Sequence, residues 1–223
     1  MLLLVECSMY LNRNQVVVAS RAEGLRKLCH DPELSMATEI EISNVRLGAI
    51  PDEVFSAKGL KSLIITESNL KSVSPRIKEL SELRELVLSS NSLESLPTEI
   101  GHLRHLDVLD VSCNRLRFFP IEVSSISSLG KLDLSENEIA LLPPDVCKMK
   151  NLSELLALSN KLTELPPCIA MMPNLTMLDV TGNKIRDIPR PNGSYASVRH
   201  LFIDAGNLTK ECLAWLSDKA YYS

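Results

Sequence analysis

At 223 residues and 24.7 kDa the chain is long enough for one domain or a short repeat array. It is 45% hydrophobic and 23% charged, which excludes an intrinsically disordered chain, and a net charge of -4 argues against a binder of phosphate backbones. Leucine fills 38 positions while aromatics make up only 4%, so one packing solution is being reused.

In chain order, Met1-Leu2-Leu3-Leu4-Val5 is apolar, but Glu6 interrupts it and no basic residue precedes it, which makes a poor signal peptide. No apolar run approaches the roughly 20 residues that cross a bilayer. For residues 1–11 an extra strand, a packed arm and a loose tail stay open. Residues 14–30 place Val18, Ala22, Leu25 and Leu28 at helical spacing before Asp31-Pro32, so the spacing predicts an N-terminal capping helix within an arm-and-cap segment, 1–36.

From there a template of 23 residues repeats. It reads Leu83, Leu86, Leu88, Asn91, Leu93, Leu96, Pro97, then Leu106, Leu109, Val111, Asn114, Leu116, Phe119, Pro120. It recurs at Leu129 to Pro143, Leu152 to Pro166 and Leu175 to Pro189, and with decay at Ala37, Leu60 and Val198. Eight copies in one register span 37–208. In each, the alternating apolar core predicts a short strand, and parallel strands about 4.8 Å apart build one sheet. Asn91, Asn114, Asn137, Asn160 and Asn183 are expected to form an internal structural ladder, with Leu-Pro leading into short helical or 3₁₀ segments on the far side. Thr209 is placed to cap a C-terminal helix over 209–223 that carries Leu213, Leu216 and Ala220.

This pattern resembles the leucine-rich repeat family, and the Leu-Pro step with later apolar pairs such as Ile100 and Leu103 resembles its intracellular Ras-group (Ras-suppressor, Scribble-like) subclass. The resemblance implies an α/β solenoid with a curved parallel sheet on the concave side, short helical or 3₁₀ segments on the convex side and helical caps at both ends.

Little in the sequence suggests chemistry. The six cysteines are scattered singly, without zinc or disulfide-framework spacing, which fits a reduced, cytoplasmic setting. His102 and His105 flank a turn without a third ligand, and no phosphate-cradling glycine motif occurs. We therefore expect no catalytic residue, no metal and no cofactor. The Asn-x-Ser/Thr triplets at Asn151, Asn174, Asn192 and Asn207 are read as accidents of composition.

Function is expected on the outward positions of the strands. The candidate partner-binding residues are Val87, Val108, Asp110, Asp133, Glu154, Leu156, Leu158, Met177, Asp179 and Phe202. Two features mark this face. Seven acids (Glu39, Glu41, Glu85, Asp110, Asp133, Glu154, Asp179) lie there against Lys131, either to attract a basic partner or as a solvated face. Leu156 and Leu158 stand where other copies mostly place Asp or Ser, with Met177 and Phe202 nearby. Phe202 is either a contact or covered by the C-terminal helix and Trp215. The expected function is a non-catalytic protein-interaction module, an adaptor or scaffold, monomeric, without nucleic acid or membrane insertion. The resemblance implies a Ras-like small GTPase, kinase or phosphatase as partner. The alternatives are a recognition component of a larger enzyme complex, such as a ubiquitin ligase, or a fragment of a longer chain.

Overall fold

The computed structural model describes residues 16–19, 30, 34–190, 195 and 197–218. They form one nine-stranded parallel sheet in sequential order. Its strands are β1 (Val16–Ala19), β2 (Glu39–Ser43), β3 (Ser62–Thr66), β4 (Glu85–Val87), β5 (Val108–Asp110), β6 (Lys131–Asp133), β7 (Glu154–Leu156), β8 (Met177–Asp179) and β9 (His200–Phe202). Every pairing joins residues 23 apart, from Val17 with Ile40 to Leu178 with Leu201.

In the three-residue strands β4 to β8 the middle leucine points inward, and Leu86, Leu109, Leu132, Leu155 and Leu178 are fully buried, as are Leu63 and Ile65 of β3. The chain then crosses the back of the sheet in 3₁₀ turns at Asp52–Ser56, Pro75–Glu79, Thr98–His102, Ile121–Ser125, Pro144–Lys148 and Pro167–Met171. Prolines suit their starts, because a fixed φ and a missing N–H cost nothing at the first helical position. Each turn sends at least one apolar side chain into the core, among them Val54, Phe55, Ile77, Ile100, Val123, Val146 and Ile169. Sheet and turns thus seal a single apolar layer that no copy could bury alone.

The turn after each strand is built the same way every time. The residue before the Asn slot is left-handed, at φ between 50° and 56° for Glu67, Ser90, Cys113, Glu136 and Ser159, and 69° for Gly182. Side chains pay about 1 kcal/mol for that backbone. A carboxamide offsets it. Asn137 Nδ2 donates to the carbonyl oxygens of Val111, Leu134 and Ser135 at 3.0, 3.0 and 3.1 Å, while its Oδ1 accepts the Leu116 N–H at 2.9 Å. Asn114, one copy back, and Asn160 and Asn183, one and two copies on, repeat this set, and Asn91 Oδ1 accepts two N–H groups, from Ser68 and Leu70. Gly182 is required by space as well, since a Cβ there would stand 2.9 Å from the Ser159 main chain.

At the C-terminal end, helix α1 (Lys210–Asp218) starts at Thr209, whose Oγ1 accepts the Cys212 N–H at 3.2 Å. It buries Cys212 and Leu216 over the last copies. Residues 219–223, with Ala220, lie outside the described residues.

Two expectations are corrected. The segment read as a capping helix from residue 14 begins with a strand, β1. Its three consecutive valines are stiff at χ1 and favour extended backbone, and Val17 sits one period before Ile40, so the register runs one copy further than its leucines reveal. The rest of that proposed helix, like residues 1–11, falls outside the described residues except His30. Second, the cysteines are not all single: Cys147 and Cys168 form a disulfide between consecutive 3₁₀ turns, with Cα atoms 6.0 Å apart. A separation of 21 is far along the chain but nearly one coil, so the two residues meet on the back of the solenoid.

Asn137→Ala leaves the buried Leu116 N–H without its acceptor and the Val111 carbonyl with only its Asn114 donor, so it should cost about 2–3 kcal/mol in urea denaturation, whereas Asn151→Ala, at an exposed edge, should cost under about 1 kcal/mol. Reduction should destabilise the wild type by about 3 kcal/mol of lost chain constraint, read as a lower melting temperature, and leave a Cys147→Ser/Cys168→Ser variant unmoved.

Candidate functional site

The outward side chains of β2 to β9 form three columns on the concave face. Strand pairing aligns Val87, Asp110, Asp133, Leu156, Asp179 and Phe202 in the central one. Val108, Lys131, Glu154, Met177 and His200 form the column before it. Leu158 lies two residues beyond Leu156, in line with Ser135 and Thr181. All of these are at least partly solvent-accessible except Ser135.

The acids of this face are largely engaged within the chain. Asp110 Oδ1 accepts the Ser112 N–H at 2.9 Å, Asp133 Oδ1 that of Ser135 at 2.9 Å, and Asp179 Oδ1 that of Thr181 at 3.0 Å. The Thr181 hydroxyl also donates to Asp179 at 2.7 Å. Asp-x-Ser and Asp-x-Thr are signatures of side chains that close a turn on their own backbone, and the sequence reading passed over them. Ser62 donates to Glu85 at 2.7 Å, and Lys131 pairs with Glu154 at 3.6 Å. Five of the seven acids therefore have a partner inside the fold.

Asp133 carries the electrostatic cost of this crowding. Burial pushes its carboxyl above the ordinary range and the neighbouring Asp110 adds to that, opposed by Ser135 and Lys131. A polar strip holding partly desolvated carboxylates favours any group that brings positive charge.

The apolar residues have no such use. Leu156 and Leu158 are half-buried on the outer surface of β7 and just past it, and Met177 of β8, which pairs with Glu154, lies diagonally from Leu156. Phe202 is 45% exposed and stacks on His200 with ring centroids 6.4 Å apart. Trp215 instead lies against the buried Tyr195, at 6.2 Å, so α1 covers the core edge and leaves Phe202 open.

Reactive groups are muted. Burial pushes the Cys113 thiol up, with Glu136 adding to it, and burial likewise raises Cys212, which keeps both as thiols near neutral pH. Among the described residues no group of three His, Cys, Asp or Glu side chains could hold a metal ion, and no helix is long and apolar enough to cross a membrane.

Comparison with known proteins places this architecture. A profile described as Leucine rich repeat matches residues 37–93, 58–116 and 81–139, and a second, Leucine Rich repeats (2 copies), matches 150–192. Such repeats are generally non-catalytic protein-interaction modules. Among solved structures, the leucine-rich repeat domain of the type III effector XopL aligns with a TM-score of 0.73 at 27% identity, over 82% of this chain and 64% of that one. An internalin of Listeria monocytogenes aligns with a TM-score of 0.71 at 23% identity, over 86% of this chain and 56% of that one. A Leptospira interrogans repeat protein aligns at 0.62 and 23% identity, over 84% and 60%. The chain thus spans somewhat under two thirds of the length of these structures. No curated protein matches it in sequence.

Because the Asp133 carboxyl is harder to ionise when folded than unfolded, the folded state binds more protons between its unfolded and its raised folded value. Stability from this group therefore falls as pH rises through that window. Asp133→Asn keeps an acceptor for Ser135 and removes the charge, so it should be more stable than wild type at neutral pH and lose that advantage in acid, as read by melting curves across pH.

Proposed function

Because the chain belongs to the leucine-rich repeat family, we propose that it is a non-catalytic adaptor or scaffold that holds a protein partner on the concave face of its sheet. The observation that carries this reading is the outward placement of Leu156, Leu158 and Met177, one in each column among polar neighbours, where no element of the described fold covers them. An apolar centre with a polar rim is how interface hot spots are built. Val87, Val108 and Phe202 extend the contact surface along the same columns. Asp110, Asp133, Glu154 and Asp179 form the rim. Their intramolecular bonds make it rigid, so less freedom is lost when a partner docks.

The Leu-Pro steps favour the Ras-group subclass, and with it a signalling partner such as a Ras-like small GTPase, a kinase or a phosphatase. A second reading is the recognition arm of a larger enzyme complex; the likeness to the repeat domain of a type III effector, of which the chain covers 64%, bears only on the repeat being one domain of a larger protein there. The expectation of a cytoplasmic setting rested on unpaired cysteines, and the Cys147–Cys168 bond removes that support.

The two leucines distinguish site from core. Leu156→Ser/Leu158→Ser should leave urea denaturation nearly unchanged and weaken a captured partner by about 2 kcal/mol or more. Leu109→Ala, fully buried, should cost about 2–5 kcal/mol of stability. Equal damage to stability from both variants would make Leu156 and Leu158 core residues and end the proposal.

A further inference from the structure

Outside the concave face, the largest departure from repeat logic is at the edge where each coil leaves the Asn ladder for the back of the solenoid. The slot two residues after the inward Leu93 is polar in most copies: Ser72, Ser95, Glu164 and Asp187. In two consecutive copies it holds Phe118 and Leu141 instead. Phe118 is 82% exposed and Leu141 52%, and Ile121 beside them is 47% exposed. The core gains nothing from these side chains, since Phe119 and Leu142 already fill the inward positions next to them. Together they line a groove of about 320 Å³ that also takes in Arg117 and Pro143.

The charges beside this groove are unevenly matched. Glu138 is held by Lys161 at 2.8 Å. Its carboxyl sits below the ordinary range through Lys161, with Arg117 and Arg115 contributing at longer range. Arg115 and Arg117 are exposed and make no ion pair among the described residues. The Arg117 guanidinium, in the groove lining beside an exposed phenylalanine and without a close carboxylate, suits a carboxylate that follows or precedes an apolar side chain, because the planar fork binds carboxylates in pairs of hydrogen bonds. A bilayer fits less well, because the chain's net charge of -4 opposes an anionic surface.

We propose that the groove at Phe118, Ile121 and Leu141, with Arg117 in its lining, is a second docking site that takes an acidic peptide segment of a partner through one apolar anchor. It is separate from the concave face, whose carboxylates would repel the same segment. One chain can therefore hold an acidic segment at its edge while the inner face engages another surface.

The test is a random-peptide display library selected on the whole immobilised chain. Phe118→Ser and Arg117→Glu variants serve as counter-targets, and circular dichroism confirms that both remain folded. The expected outcome is a set of clones rich in Asp and Glu around a Phe, Leu or Trp. As synthetic peptides these should bind about tenfold more weakly to either variant and equally well to Leu156→Ser/Leu158→Ser. The proposal is overturned if no clone distinguishes wild type from the variants, if the distinguishing clones are neutral or basic, or if their binding is lost with the Leu156 and Leu158 changes. Phosphatidylserine vesicles form a separate arm. Cosedimentation that depends on Phe118, without acidic clones, would assign the groove to lipid and likewise overturn it.

Discussion

The structure depends on how one buried carboxamide per coil satisfies the main chain at the inward bend. A strand that ends inside a solenoid leaves carbonyls and N–H groups with no water to receive them. Asn114, Asn137, Asn160 and Asn183 each bind three carbonyls and one N–H drawn from two neighbouring coils, so each residue joins its copy to the preceding one as it closes its own turn. The left-handed residue just before it is tolerated because the bend it creates aims the carboxamide inward. Where the Asn is missing the substitutes are weaker. Ser68, fully buried, spans from the Thr66 carbonyl to the Val45 N–H, and Asn207 reaches back to the Asn183 carbonyl at 3.2 Å from beyond its slot. The ladder thins toward the ends, where the pattern decays.

Because one side of every coil is committed to that ladder and the leucine layer, variation is confined to the other surfaces. On the concave face the dominant constraint is still structural, since Asp110, Asp133 and Asp179 close strand ends as well as face solvent. What a partner meets there is a fixed polar frame with a small apolar interruption at β7 and β8. The edge after the ladder is freer, and it is there that Phe118 and Leu141 stand out of the core with Arg117 beside them. The two surfaces carry opposite local charge on a chain of modest net charge, a distribution that sorts partners by sign.

The disulfide follows the same geometry. Coiling converts a separation of 21 residues into a contact between neighbouring turns, and cysteines that read as isolated along the chain become a cross-link across the back of the sheet. Asn151, Asn174 and Ser197 exploit the same closeness, each donating to a carbonyl of the coil before it at 2.8, 2.8 and 2.7 Å. The triplets at Asn151 and Asn174 thus belong to an outer polar seam.

The sequence by itself determined the fold class, the period and the inward or outward sense of every strand position from β2 to β9, because a strict repeat leaves each residue type one equivalent place per coil. Contacts that cross from one coil to the next at unequal positions were decided only by the tertiary structure. The Cys147–Cys168 bond, the shelter that α1 gives Tyr195 rather than Phe202, and the groove between Phe118 and Leu141 are of this kind. So is β1, where the valines of an outlying coil lack the leucine template and take strand form by pairing with β2. Periodicity reports what each coil must do alike, and these features arise where neighbouring coils differ.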